Sequence, residues 1–206
     1  VVGDAGAGKT SLITTFVSDI FSDAPQVGVL REVLVSADEA PLDDVALLLV
    51  DTPSPGGLGL GGGPGEALWE QVRTADVVVL VYPCNDPHAL ETIAPKWLDK
   101  IERVFAGPIV LAATKTDLLP EEEQRDEDHR VDMLATRVQP LLDRYRIEAA
   151  LECSAKKNFH VTDVFYHAQH AVVFPVSPLF EGPNMELRPK FKRALGRVFR
   201  FFDQDR

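Results

Sequence analysis

The stretch GDAGAGKT, residues 3–10, constrains the fold more than any other part of this 206-residue chain. Its spacing is G-x-x-x-x-G-K-T, in which glycines let the backbone turn tightly and present successive N–H groups at the start of a helix. Such a loop binds phosphate between a buried strand and a helix, with the Lys9 ammonium at the phosphates and the Thr10 hydroxyl on Mg²⁺. It predicts an α/β domain. Because only Val1 and Val2 precede the loop, we expect the chain to begin inside its first strand.

Strand and helix patterns alternate along the rest of the chain. Strand patterns occupy residues 27–35, 45–51, 76–83, 107–115 and 149–153, and helix patterns occupy 9–19, 87–105, 129–146 and 161–174. The spacing of the first two of these strands suits an antiparallel pair, whereas the later ones are nearly continuous in apolar residues, as strands covered on both faces must be. We predict a mostly parallel six-stranded sheet with helices on both faces, and a ligand at the carboxyl ends of its strands.

A second motif predicts which base the ligand carries. The sequence TKTD places Thr114, Lys115 and Asp117 after a buried strand, spaced as in the guanine-binding pattern [NT]-K-x-D. A carboxylate suits guanine because that ring offers two adjacent donors, N1–H and N2–H₂. The aliphatic stem of the lysine would lie over the ring. The next strand end, ECSAKKN, supplies backbone N–H groups for the guanine O6, from Ser154, Ala155 and Lys156.

An acidic residue completes the predicted phosphate and metal site. Asp51 ends the strand VALLLVD and would bind Mg²⁺ through water, with Thr10 as the other protein ligand. Lys9 is the only side chain to which we assign a catalytic role, the stabilisation of phosphate charge. The residues predicted to surround the phosphates are Gly6, Gly8, Lys9, Thr10 and Ser11.

With these motifs the chain resembles the Ras-like superfamily of GTPases, and within it the Miro (mitochondrial Rho) GTPases. TKTD has the Rho-type threonine. ECSAK, DVFYHAQHAVVFPVSPLF and LRPKFKRALGRVFRFFDQDR are similar to the closing strand and helix, the linker and the lead-in to the first EF-hand of Miro. The resemblance implies a Ras-like GTPase domain over 1–174, a proline-containing linker over 175–187, and an EF-hand helix with a truncated calcium loop over 188–206.

The resemblance also implies a setting. It points to the amino-terminal switch of a longer protein that controls mitochondrial transport, distribution and morphology, on the cytosolic face of the outer membrane. The longer protein would carry paired EF-hands that bind Ca²⁺, a second GTPase domain and a carboxyl-terminal membrane anchor. Its implied partners are motor adaptors or tethering proteins, together with unidentified proteins that activate hydrolysis or exchange the nucleotide.

Several positions depart from the pattern of switch GTPases. No threonine occurs between Phe16 and Val35 to close on the metal, and Pro55 stands where a glutamine would orient the attacking water. Ala5 replaces a glycine, and its methyl group would crowd the space of an incoming arginine finger. Seven of the fourteen glycines lie between Gly56 and Gly65, in a loop expected to be flexible. We therefore expect GTP binding with slow hydrolysis.

Composition argues against some functions, and two rival hypotheses remain open. A net charge of −11 argues against binding to a nucleic-acid backbone, and no apolar run approaches the length of a membrane span. The first rival is a scaffold that keeps GTP permanently, which the missing threonine and glutamine favour. The second is an ATP-using kinase, against which Asp117 argues.

Overall fold

The computed structural model describes residues 1–23, 31–42, 44–52, 65–121, 127–174, 180–181 and 186–187. The chain divides into two compact units, Val1–Pro175 and Val176–Arg206. In the second unit, a short antiparallel pair, Phe180–Glu181 (β7) with Glu186–Leu187 (β8), lies inside the predicted linker. The predicted EF-hand helix and loop, and the segment with Pro55, fall outside the described residues.

The first unit contains six strands. They are β1 (Val2–Gly3), β2 (Arg31–Val35), β3 (Leu47–Asp51), β4 (Val78–Pro83), β5 (Ile109–Thr114) and β6 (Ile147–Glu152). Four of them form a wholly parallel sheet in the order β1-β4-β5-β6, and β2 and β3 pair antiparallel as predicted.

The predicted six strands therefore form a sheet of four and a pair of two. The two parts meet at Val1, whose nitrogen donates to the carbonyl oxygen of Val50 at 2.8 Å. The hydroxyl of Thr52 donates to the carbonyl oxygen of Val1 at 2.7 Å. These two contacts join β3 and the residue that follows it to the residue that precedes β1.

Helices cover both faces of the parallel sheet, which confirms the predicted α/β architecture. They are α1 (Lys9–Ser18), α2 (Gly65–Thr74), α3 (Ala89–Ile93), α4 (Asp99–Val104), α5 (Glu127–Arg144) and α6 (Val161–Val173). Alternate β4 residues serve opposite faces: Leu80 packs with Leu68 and Ile101, whereas Val81 packs with Leu12 and Phe165. In the described part of the chain, no helix combines the length and the apolar content that a membrane crossing needs.

Two features of the helices differ from the sequence prediction. The helix α2 was missed, because the glycine run extends to its first residue; its signal was Leu68 and Val72, four residues apart and each 2 % exposed. The helix predicted over 87–105 is interrupted by a π-helical turn at Ala94–Leu98, which contains Pro95 and separates α3 from α4.

Candidate functional site

The phosphate-binding motif forms a tight loop between β1 and α1, as the sequence predicts. Gly3 has a φ of +149°, and a Cβ there would lie 2.2 Å from the carbonyl oxygen of Val81, so no other residue fits. Gly6 and Gly8 have φ values of +72° and +95°. These left-handed residues turn the backbone so that successive N–H groups converge at the start of α1.

Lys9 lies over this loop and is 5 % exposed. Its ammonium donates to the carbonyl oxygens of Gly3 and Asp4, each at 2.9 Å. Burial lowers the pKa of this lysine below its ordinary value, and the nearby carboxylates of Asp51 and Asp4 act in the opposite direction. An anionic phosphate beside the ammonium would offset the cost of burying its charge.

The two residues predicted to hold a metal lie together. The Thr10 hydroxyl donates to Oδ2 of Asp51 at 2.7 Å. Asp51 is 6 % exposed, and its other oxygen, Oδ1, is buried without a hydrogen-bond partner among the described residues. A buried carboxylate oxygen without a donor is costly unless a cation or water meets it. This donor set therefore fits Mg²⁺, which prefers oxygen ligands and keeps several of its waters.

The predicted base-recognition residues lie at the ends of β5 and β6. Lys115 has a φ of +65°, which turns the chain into a 3₁₀ turn, Thr116–Leu118, that carries Asp117. The hydroxyl of Ser154 donates to Oδ1 of Asp117 at 2.6 Å, and Ser154 is fully buried. Two segments that lie far apart in the sequence thus meet at one carboxylate.

Thr114 joins the base-recognition segment to the phosphate loop. It is 3 % exposed, and its hydroxyl lies 2.6 Å from the carbonyl oxygen of Ala7 and 3.2 Å from that of Tyr82. The residue was predicted to surround the nucleotide, and the structure places its hydroxyl against the protein main chain. It therefore sets the spacing between the two halves of the site.

The other predicted residues take surrounding positions. Ser11 lies in the first turn of α1. Ala155 and Lys156 lie in a tight turn closed by two main-chain hydrogen bonds between Ser154 and Phe159, each 2.9 Å long. This turn positions the backbone after β6, as recognition of a base edge by N–H groups requires.

Sequence reasoning missed one group of polar residues beside the loop. The carboxylate of Asp4 accepts hydrogen bonds from the Lys96 ammonium at 2.5 Å and from the indole N–H of Trp97 at 2.9 Å. The available signal was that Asp4 is the only charged residue in GDAGAGKT besides the lysine. Its partners lie more than ninety residues along the chain, so no local pattern could reveal them.

Comparison with known proteins agrees with this geometry. A family model described as the Ras family matches residues 1–173. The chain is 36 % identical over 208 residues to Mitochondrial Rho GTPase 2, and 35 % identical over 209 residues to Mitochondrial Rho GTPase 1, both of Arabidopsis thaliana. It is 31 % identical over 210 residues to Mitochondrial Rho GTPase 1 of Caenorhabditis briggsae.

These alignments cover all of this chain but only 30 to 32 % of each relative, so the chain spans about a third of the length of the curated relatives it matches. The family match covers nearly all of the first compact unit and includes the phosphate loop, Asp51 and the base-recognition segments. The chain therefore belongs to the Ras family.

Proposed function

We propose that this chain binds GTP and GDP with Mg²⁺, hydrolyses GTP slowly, and serves as the amino-terminal switch of a mitochondrial Rho GTPase. The observation that carries the proposal is the carboxylate of Asp117, which Ser154 holds at 2.6 Å at the same edge of the sheet as the phosphate loop. Membership of the Ras family supports GTPase activity in general.

Recognition of guanine rests on the Asp117 carboxylate. An ionised carboxylate only accepts hydrogen bonds, so it pairs with the adjacent N1–H and N2–H₂ donors of guanine. Adenine presents no such pair, so the same carboxylate facing it would gain no hydrogen bonds from the base. The Ser154 hydroxyl donates to Oδ1 and so fixes the orientation in which the carboxylate faces the base.

The phosphate end of the site neutralises charge. The N–H groups at the start of α1 and the Lys9 ammonium would meet the phosphate oxygens, and Thr10 and Asp51 would hold the metal. When bound, Mg²⁺ supplies charge neutralisation at the phosphates. Since Lys9 is already held by two loop carbonyls, it is oriented before the nucleotide arrives, and little reorganisation is required.

The proposed slow rate of GTP hydrolysis follows from the absence of a glutamine that would orient the attacking water. Pro55 can neither donate nor accept through its side chain at the position where a glutamine would orient water. Lys9 and the backbone donors would still stabilise the charge of the phosphates. No side chain is assigned to orient the attacking water. A partner protein would supply that part of catalysis.

The wider role is proposed from the relatives. Their names place them at the mitochondrion and among Rho GTPases. The resemblance adds control of mitochondrial transport, distribution and morphology through motor adaptors or tethering proteins at the outer membrane. Ca²⁺ binding and the membrane anchor would lie in other parts of such a protein.

The proposal is tested by following the nucleotide in the purified protein. The protein is loaded with GTP, held with Mg²⁺ or with a chelator, and its bound nucleotide is extracted and separated by ion-exchange chromatography over time. We expect slow conversion to GDP that requires Mg²⁺. GTP that persists unchanged would instead support the scaffold hypothesis, and binding of ATP in preference to GTP would contradict the proposal.

A matched pair of variants tests the base. Asp117→Asn replaces one acceptor by a donor, which suits xanthine, whose ring has a carbonyl where guanine has an amino group. We expect this variant to lose GTP and gain XTP binding. Asp163→Asn, at an exposed position on α6, removes the same charge and should bind GTP normally. Equal GTP affinity in both variants would contradict the assigned role of Asp117.

A further inference from the structure

The phosphate loop is held from the side by a pair of residues that the proposed reaction does not use. Lys96 and Trp97 both donate to the carboxylate of Asp4, the second residue of the loop. The two donors come from the π-helical turn Ala94–Leu98, ninety-two and ninety-three residues away. Turns of this kind are rare and occur frequently at functional sites.

The contact between Trp97 and Asp4 is partly buried, because the indole is enclosed while the carboxylate is partly exposed. Trp97 is 3 % exposed and packs in the apolar cluster with Leu98 and Ile101. A buried indole N–H requires an acceptor, and Oδ1 of Asp4 at 2.9 Å provides one that carries charge. The tryptophan therefore specifies where the Asp4 side chain lies.

The main chain of Asp4 contacts Lys9, the residue proposed to meet the phosphates. Its carbonyl oxygen accepts a hydrogen bond from the Lys9 ammonium at 2.9 Å. The same residue is thus held through its side chain by the π-helical turn, and through its main chain it holds the lysine that meets the phosphates. A displacement of Asp4 would move the Lys9 ammonium with it.

We propose that Trp97, assisted by Lys96, is a positioning residue that fixes Asp4 and thereby Lys9, and so slows the release of bound nucleotide. The inference rests on the proposed binding of GDP and GTP. It adds a determinant of nucleotide residence that lies outside the phosphate, metal and base motifs.

Lys96 and Trp97 are expected to contribute unequally to holding Asp4 in place. The side chains of Lys96 and Asp4 are 53 % and 37 % exposed, so water and salt screen this ion pair and its contribution is small. The indole bond starts from a buried group, and its loss leaves Asp4 without its fixed partner. We therefore expect substitution of Trp97 to change nucleotide release much more than substitution of Lys96.

The chain supplies a matched control for each substitution. Trp69 of α2 packs against Trp97, with ring centroids 6.2 Å apart, so Trp69→Phe perturbs the same apolar cluster and leaves the bond to Asp4 in place. Lys100 follows Lys96 by four residues and is exposed, so Lys100→Met removes an equal charge from the neighbouring turn.

The test measures release of GDP that carries a fluorescent ribose label, after addition of excess unlabelled GDP. We expect Trp97→Phe and Asp4→Ala to release GDP about tenfold faster than the wild type, the equivalent of one lost charge-assisted hydrogen bond. Asp4→Asn keeps an acceptor for the indole and should stay within about threefold of the wild type. Lys96→Met, Lys100→Met and Trp69→Phe should also remain within that range.

A spectroscopic measurement separates positioning from simple loss of stability. Trp69 and Trp97 are the only tryptophans, so Trp69→Phe leaves Trp97 as the sole reporter. We expect its emission to change when GDP and Mg²⁺ bind, and to lose that response after the further substitution Asp4→Ala. Asp4 is half-exposed, so this substitution leaves the core packing intact.

Three results would overturn the inference. If labelled GDP binds to Trp97→Phe and Asp4→Ala but dissociates from both at the wild-type rate, the positioning role is wrong while nucleotide binding stands. If Trp69→Phe accelerates release as much as Trp97→Phe does, the effect belongs to core packing. Failure of the wild type to bind GDP would refute the proposed function, and the inference with it.

Discussion

The hydroxyl of Thr114 gives a sharp test of how the two halves of the site are held together. Thr114→Val replaces the hydroxyl by a methyl group of nearly the same size, so the side chain still fills its place at the end of β5. The change removes the donor that lies 2.6 Å from the carbonyl oxygen of Ala7 in the phosphate loop. It tests one hydrogen bond at almost constant volume.

The expected cost follows from two terms. A buried carbonyl left without a donor costs about 1 to 3 kcal/mol. A methyl carbon also needs about 3.3 Å from a carbonyl oxygen, so the loop must move by roughly 0.7 Å from the present distance of 2.6 Å. We expect the free energy of unfolding to fall by about 2 kcal/mol and the affinity for GDP by roughly tenfold.

The assay compares Thr114→Val with Thr15→Val and Thr114→Ser. Thr15 of α1 is 1 % exposed, and its hydroxyl has no partner within the described part of the chain, so its removal should raise stability by about 1 kcal/mol. Thr114→Ser keeps the donor and should keep the GDP affinity. Urea denaturation measures stability, and titration with labelled GDP measures affinity.

The two valine substitutions are therefore expected to have opposite signs. If both change the midpoint of unfolding in the same direction by a similar amount, the assigned bond to the phosphate loop is not what makes Thr114 important. If Thr114→Val loses stability but binds GDP normally, the bond holds the fold without setting the site.

Three further predictions concern the fold. Gln169→Leu should lower the free energy of unfolding by roughly 2 to 4 kcal/mol in urea, because this side chain, 2 % exposed, bonds a main-chain N–H and a carbonyl between β2 and β3. Burial and a hydrogen bond to Asp99 raise the pKa of Tyr145 to about 12, so the stability this neutral phenol provides is complete below pH 10 and is lost as the pH rises towards 12. Below pH 10, Tyr145→Phe should have a lower free energy of unfolding than the wild type, and the difference should shrink as the pH rises from 10 towards 12; a constant difference would contradict the assignment. Gly3→Ala should cost more than about 3 kcal/mol, because its Cβ would meet a β4 carbonyl oxygen at 2.2 Å. Gly6→Ala, whose Cβ would meet no atom of the described residues within 4 Å, should cost only the backbone strain of about 1 kcal/mol.

Local sequence patterns were enough to predict most of the fold. Strand patterns that are apolar throughout indicate strands buried on both faces, and helical patterns indicate helices buried on one face. An α/β arrangement, with helices packed on both faces of a sheet, provides this burial. The helix α2 was missed because a glycine run hid its start, and the π-helical turn was missed because helical periodicity does not register one extra residue.

The motifs likewise predicted a candidate site. A phosphate loop, a strand-end acid and a carboxylate for guanine each carry their chemistry in a few adjacent residues, so the sequence alone indicated the ligand. The structure brings the two predicted metal ligands, Thr10 and Asp51, together, and it adds a bond from the Ser154 hydroxyl to Asp117 that the motifs did not predict.

What the tertiary structure alone decided is how these parts are held. Thr114 was predicted to surround the nucleotide, but its hydroxyl lies against Ala7, and Asp4 is held by Trp97 from a distant turn. Such contacts join residues about a hundred positions apart, and no pattern within a short window records which distant side chain will reach a given carbonyl or carboxylate. The sequence by itself indicated most of the elements and the candidate chemistry, because both depend on neighbouring residues. Their spacing and rigidity depend on packing and hydrogen bonds that exist only once the chain has folded.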